Sequence, residues 1–101
     1  MKNKEYNGWY NYNVWNVMLY VDNEAEIYNY WYDTMNSYYQ KKISFKQFMK
    51  RLNRVGAMAH KVSDVRKEKL TKKEISEIRS GLRRQYKDLS EYSERIGSKK
   101  I

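Results

Sequence analysis

Apolar residues recur every three to four positions along most of this chain, the spacing of one face of an α-helix. The period runs through residues 12–21, about 24–39, from 45 onward and from 71 onward. No segment shows the strict apolar–polar alternation of a half-buried strand. The pattern predicts one all-α domain over residues 1–101, a small bundle of four to five helices. An irregular arm at 1–11 and a loose tail at 97–101 would flank it.

The first two predicted helices are rich in aromatic residues. A turn at Asn7-Gly8 precedes the first helix, which is apolar nearly all round and is therefore expected to be buried. Asn23 followed by Glu26 has the form of an N-cap with its N3 glutamate, which predicts the start of the second helix. We expect this aromatic-rich helical pair to pack against the two later helices. The inner face of the second helix carries Ile27, Trp31, Met35 and Tyr38.

Two later helix starts carry a capping box, in which a hydroxyl residue and a Glu or Gln three positions on satisfy each other's backbone N–H groups. Ser44 pairs with Gln47 in this way, and Thr71 pairs with Glu74. The helix after Ser44 either breaks near residue 56 or 60 or continues to about residue 69. Its apolar stripe comprises Phe45, Phe48, Leu52, Val55, Ala59 and Val62.

The last helix has the spacing of about three heptads, typical of a bundle helix or a short coiled coil. Its one polar core position, Gln85, is either an interface amide that favours one register or the edge of an ordinary bundle helix. A further alternative is a homo-oligomer joined through this helix, whose contact residues would be Ile75, Ile78, Leu82, Leu89 and Tyr92. The full repeat comprises Ile75, Ile78, Leu82, Gln85, Leu89, Tyr92 and Ile96.

Charge and aromatic residues are distributed in opposite directions. The net charge is +9, with 21 Lys and Arg against 12 Asp and Glu. Residues 1–40 hold 2 basic and 5 acidic residues, whereas residues 41–101 hold 19 and 7. All three Trp and nine of the eleven Tyr lie in the first 40 residues. A basic half of this strength predicts a polyanionic partner such as nucleic acid, an acidic protein face or a membrane surface, or else a solvated basic surface.

Basic residues form two rows at i, i+4 spacing, off the apolar stripes. Like charges at this spacing repel each other and destabilise the helix. A fold that repeats them either tolerates this repulsion in water or uses the charges to bind a polyanion. Two rows side by side would form a track for phosphates, and arginines in particular also pair with carboxylates on a protein. The candidate binding residues are Lys46, Lys50 and Arg54 on the third helix, and Arg79, Arg83, Arg84 and Lys87 on the last.

Signals of catalysis are weak. The chain has one His, His60, which we expect to be a partly exposed helix residue, and it has no Cys. No zinc-ligand spacing, phosphate-binding loop or nucleophile elbow is present. We therefore expect a protein that is not an enzyme and holds no metal or cofactor. Without a signal peptide or an apolar run long enough to span a bilayer, it is expected in the cytoplasm and not in a membrane.

The stretch from Tyr6 to Val21 contains no charged residue but many Asn and aromatic residues. Amide side chains bond to backbone groups at caps and turns, and Tyr and Trp bury well when their polar tips find partners, so this stretch has a structural explanation. The functional alternative is stacking on unpaired bases. That alternative usually needs aromatics mixed with Lys and Arg on one surface, and here the two lie in opposite halves of the chain.

Residues 6–24 resemble the opening of a family of small phage and plasmid proteins with the segment Y-x-G-W/Y-x-N-x-E-T-W-N-V-x-L-W-x-x-N-D/E. The chain departs from it at Asn13-Val14, where the family has Glu-Thr, and at Tyr20, where it has Trp. The family has no settled activity, so the resemblance implies a context and not a site. The matched residues are Gly8, Asn11, Trp15, Asn16, Val17, Leu19 and Asn23.

Small single-domain proteins of mobile elements are often inhibitors or adaptors of host machinery. The resemblance therefore implies a non-catalytic binding protein that inhibits host defence, for example an anti-CRISPR-type inhibitor of a CRISPR nuclease. It would cover a surface of the defence protein, or of its nucleic acid, with the basic rows. The alternative is a protein that binds DNA or RNA directly with the same helix faces.

Overall fold

The computed structural model describes residues 5–92, which form a bundle of four helices without strands. The helices are α1 (Tyr12–Asn23), α2 (Ala25–Tyr39), α3 (Phe45–Val62) and α4 (Lys72–Tyr92). The prediction of an all-α fold with four to five helices is confirmed. The predicted tail at 97–101 and the last heptad position, Ile96, lie outside the described residues.

All four helices contribute to one core. α3 packs against α1, α2 and α4, and its residues Phe48 and Leu52 are among the largest fully buried side chains. Trp31 of α2 stacks on Phe48 with ring centroids 5.9 Å apart. Met18 of α1 and Leu82 of α4 complete the centre of the core. The apolar stripes predicted from the sequence therefore lie in this core, because an amphipathic helix packs its apolar face against the neighbouring helices.

The two capping boxes are confirmed. Ser44 Oγ accepts from the Gln47 N–H at 3.1 Å, while Gln47 Oε1 accepts from the Ser44 N–H at 2.9 Å. Thr71 and Glu74 exchange the same pair of bonds at 2.9 and 3.0 Å. α3 ends at Val62, close to the predicted break near residue 60, so it neither breaks near residue 56 nor reaches residue 69.

The predicted N-cap of α2 is wrong. Asn23 is the last residue of α1, and its side-chain amide donates to the Leu19 carbonyl at 2.9 Å. The N-cap of α2 is Glu24, which makes no side-chain capping bond. Its backbone N–H still bonds to the Tyr20 carbonyl at 3.0 Å, so α1 continues through Asn23 and a single residue makes the turn.

The ends of the predicted apolar stripes are more exposed than their centres. Phe45 is 53% exposed at the start of α3, and Ile75 is 42% exposed in the first turn of α4. Ile78 and Leu82 are buried in the chain's own core. A contact between copies along the α4 repeat would therefore have to use the outer positions, since the central ones already pack within the chain.

Gln85 belongs to the intramolecular bundle. Its Oε1 accepts from the indole N–H of buried Trp31 at 2.9 Å, and its amide nitrogen donates to Asp22 Oδ1 at 3.4 Å. Of the two interpretations of Gln85, an edge position of an ordinary bundle helix therefore explains its hydrogen bonds. Trp31 needs the acceptor because a buried indole N–H without a partner is costly.

The segment before α1 folds back as a tight turn. Tyr6 and Trp9 exchange backbone hydrogen bonds of 3.0 and 2.8 Å, with Asn7 and Gly8 at positive φ of 48° and 85°. Both central residues of a type I′ turn require positive φ, which explains the Asn-Gly pair. The turn places the Trp9 indole against Gly81 of α4.

Candidate functional site

The asparagines of the N-terminal stretch bind acidic groups from the second half of the chain. Asn11 and Asn13 donate to Glu74 Oε2 at 2.8 and 3.2 Å. Asn16, which is buried, donates to Asp64 Oδ2 at 3.2 Å and accepts from the Asp64 N–H at 2.8 Å. These bonds give the unusual stretch a structural role, because they attach the start of α1 to the loop between α3 and α4 and to the first turn of α4.

The same bonds shift the pKa values of their partners. Burial raises the pKa of Glu74, but hydrogen bonds from Thr71, Asn11 and Asn13 outweigh it and leave the pKa below its ordinary value. Tyr20 donates to Asp64 Oδ1 at 3.0 Å, and this hydrogen bond, together with the carboxylate charge, raises the pKa of the phenol. Acidic groups of the basic half are thus engaged by neutral side chains.

The two basic rows lie on neighbouring antiparallel helices. Arg79 Nε donates to Asn53 Oδ1 at 3.0 Å, and Tyr86 packs on Phe48 with ring centroids 5.2 Å apart. Residue numbers increase along α3 in the direction in which they decrease along α4, since Phe48 meets Tyr86 and Asn53 meets Arg79. In this register Lys46, Lys50 and Arg54 lie level with Lys87, Arg83 and Arg79.

The basic rows carry no internal ion pairs within residues 5–92. The one ion pair in this part of the chain joins Lys73 to Glu77 at 3.3 Å, outside both rows. All row residues are exposed except Arg79, which is half-buried against Asn53. Each row spans nine residues, whose eight helical steps of 1.5 Å amount to about 12 Å. The two level rows on the neighbouring helices α3 and α4 are here called the basic strip.

Arg84 occupies a different place from the other candidate residues. Its guanidinium carbon lies 6.0 Å from the centroid of the Trp9 ring, so it contacts the N-terminal turn as well as the edge of the strip. This distance is the outer limit of a cation–π contact. Among the described residues, Arg84 therefore has an aromatic partner that the members of the two rows lack, whereas Arg79 bonds to the Asn53 amide.

Aromatic side chains lie at one end of the basic strip. Tyr38 stacks on Phe48 with centroids 4.4 Å apart, and exposed Phe45 lies 6.2 Å from Tyr38. Tyr86 closes the cluster at 5.3 Å from Tyr38. Aromatic and basic residues that lie in opposite halves of the chain thus come together at this end, because the bundle brings Tyr38 of the first half to α4. An open groove of about 560 Å³ is lined by Tyr38, Phe45, Phe48, Ser80, Arg83, Arg84, Tyr86 and Lys87.

The connection between α2 and α3 positions this cluster. α2 ends in a Schellman motif, with the Lys41 N–H bonded to the Tyr38 carbonyl at 3.0 Å and the Lys42 N–H bonded to the Ser37 carbonyl at 2.8 Å. Lys41 takes the left-handed conformation at φ 62° that this motif requires. The chain then reverses, so Phe45 at the start of α3 comes back to Tyr38 near the end of α2.

A second cavity, of about 400 Å³, lies at the other end of the α3–α4 seam. Its wall is largely apolar and includes Leu70, Ile75 and Gly56. His60 lies on its border, half-buried, with Nε2 3.1 Å from the Val65 carbonyl oxygen. This bond fixes the imidazole as a structural link to the following loop.

Within residues 5–92, no three His, Cys, Asp or Glu side chains come close enough to hold a metal ion. The helices in that range are all too short or too polar to cross a bilayer.

One family model matches residues 2–92 of the chain, and its description is "Family of unknown function (DUF7249)". Neither the curated proteins nor the solved structures contain a match.

Proposed function

The chain belongs to the DUF7249 family, whose function is unknown, and we propose that it is a non-catalytic protein that binds nucleic acid through the basic strip. The observation that carries this proposal is the register of the two rows. Three basic residues of α3 lie level with three of α4, and none of the six is in an ion pair among the described residues. Adjacent like charges favour a multivalent anion, since it neutralises several of them at once.

The distribution of acidic groups supports the same proposal. Asp64 and Glu74 are engaged by asparagines of α1 and its cap, and Glu77 is paired with Lys73. The exposed acidic residues of the first half, such as Asp33, lie on α2 and not on the strip. These acidic groups therefore do not cancel the charge of the strip, whereas Asp88 and Glu91 are exposed on α4 next to its Lys87 end. A surface of net positive charge raises the rate and strength of binding to a polyanion.

Fluorescence anisotropy across a salt series tests the proposal. A protein that neutralises three to six phosphates of a single strand should lose affinity with a slope of about −2 to −4 in log K against log salt. Arg83→Glu should weaken binding to all sequences alike and reduce the slope by about one contact. Lys67→Glu is the matched control, because Lys67 is exposed in the α3–α4 loop and belongs to neither row. Equal losses for both variants would contradict a role for the strip.

A second candidate is the inhibitor of host-defence machinery, such as a CRISPR nuclease, that acts in the host cytoplasm. The N-terminal resemblance to small phage and plasmid proteins supports that context. The observation that favours it is Phe45, a large exposed apolar side chain beside Arg83 and Lys87, since aromatic and Arg residues anchor protein interfaces. In that case Arg83→Glu would abolish one protein complex, while affinity for nucleic acid would be negligible at physiological salt.

A further inference from the structure

The geometry points to Phe45 as a stacking platform for one unpaired base, which makes single-stranded nucleic acid the ligand of the basic strip. This inference rests on the proposed function and narrows it to one class of nucleic acid. Single-strand binding combines a positive groove with aromatic faces on which bases stack, and the stacking tolerates any sequence. The α2–α3–α4 corner provides both elements in one groove.

The exposure and support of Phe45 fit this role. Phe45 is 53% exposed, although its neighbours Tyr38 and Phe48 form a closely stacked pair at 4.4 Å. The capping box at Ser44 fixes the backbone at the base of the side chain. The ring is therefore held by a rigid helix start and backed by other rings, yet one side is open. A base that stacks there would extend an existing aromatic cluster.

Cations line the groove that contains this platform. Lys46 follows Phe45 directly on α3, and Arg83 and Lys87 of α4 line the same groove. Within residues 5–92, no acidic side chain lines this groove. A nucleotide seated there would place its base on Phe45 and its phosphate within reach of long basic side chains. The remaining length of the strip then follows the adjoining phosphates.

The other exposed aromatics lack this setting. Tyr28 and Tyr32 stack on each other on α2 with centroids 6.2 Å apart, and both are exposed. Their helix carries Glu24, Glu26 and Asp33 on exposed positions, and these carboxylates would repel a phosphate backbone. Tyr32 therefore provides a control for an exposed aromatic that is not near the strip.

Discrimination among three probes tests the inference. The probes are a labelled oligothymidylate of about 12 nucleotides, a strand of the same length whose sugars lack bases, and a duplex of that length. Binding should be tightest for the oligothymidylate. The abasic strand carries the same phosphates, so it should bind roughly 5- to 100-fold more weakly, the range for one stacked base. A duplex stacks its bases on one another and offers no free face to Phe45.

Substitutions test whether the Phe45 side chain causes the difference in affinity between the oligothymidylate and the abasic strand. Phe45→Leu keeps an apolar residue with good helix propensity at an exposed position, so the fold should be retained, as checked by circular dichroism. It should remove the preference for bases over the abasic strand, whereas Phe45→Trp should keep it and Tyr32→Leu should leave it unchanged. Equal affinities of the wild type for the three probes, or an unchanged preference in Phe45→Leu, would overturn the stacking role while leaving the proposed function standing. Absence of salt-dependent binding to every probe would overturn both.

Discussion

Gly81 of α4 faces the Trp9 indole so closely that alanine should destabilise the protein. A Cβ built on Gly81 would lie 2.7 Å from Trp9 Cζ3 and 3.1 Å from Cη2. Since carbon atoms pack best at about 3.5–4.0 Å, the ring would have to retreat by about 1 Å. The tight turn through Tyr6 limits that movement, because it is closed by two backbone hydrogen bonds.

Two effects of opposite sign decide the magnitude. Alanine in a helix interior is favoured over glycine by about 1 kcal/mol. Overpacking a well-filled contact costs about 1–3 kcal/mol. The net result for Gly81→Ala is a loss of about 1 kcal/mol, or a decrease in Tm of about 4–8 °C for a domain of this size.

Thermal and urea denaturation measure the effect, with Gly56→Ala as the matched control. Gly56 also lies inside a helix, but its nearest contact is the Ile78 Cγ2 methyl at 3.3 Å, next to a cavity into which that side chain can move. Gly56→Ala should therefore raise Tm by a few degrees, about 4 °C at most. In a Trp9→Leu background, Gly81→Ala should become neutral or stabilising. An increase in Tm for Gly81→Ala in the wild-type background would refute the proposed contact.

Two further predictions concern polar groups that hold the bundle together. The pKa of Glu74 is lower in the folded protein than its unfolded value of about 4.5. The ionised carboxylate therefore stabilises the fold at pH values above the unfolded pKa, and this contribution is lost as the pH falls through the folded-state pKa. The stability difference between wild type and Glu74→Gln, measured by urea denaturation at several pH values, should therefore be largest near neutral pH and shrink in acid; a constant difference would contradict it. Gln85→Leu leaves the buried Trp31 N–H without its acceptor and should cost about 1–3 kcal/mol in unfolding free energy. An unchanged Tm for Gln85→Leu would mean that this hydrogen bond contributes nothing to stability.

Local signals predicted most helix boundaries. The capping boxes at Ser44 and Thr71 involve residues only three apart, so the sequence contains the whole interaction. The N-cap at Asn23 was predicted by the same rule and was wrong, because the continuation of α1 through Asn23 depends on packing that a local pattern does not contain. The end of α3 at Val62 was left open for the same reason.

The candidate site was predictable only in part. The basic rows follow from i, i+4 spacing on each helix, but their relative register depends on Asn53 and Arg79 meeting across the seam. Phe45 was assigned to the apolar stripe on its period alone. The exposure of its ring depends on its place at the end of the bundle, where none of the four described helices covers it.

By itself the sequence determined the all-α class, the starts of α3 and α4, and the separation of aromatic from basic residues along the chain. These properties reside in periodicity, capping and composition, which act over a few residues or require no geometry. Only the tertiary structure decided that Tyr38 joins Phe45 beside Arg83, and that Asn11, Asn13 and Asn16 engage the carboxylates of Glu74 and Asp64. Those contacts join residues far apart in the chain, and their partners are chosen by how four amphipathic helices bury their apolar faces together.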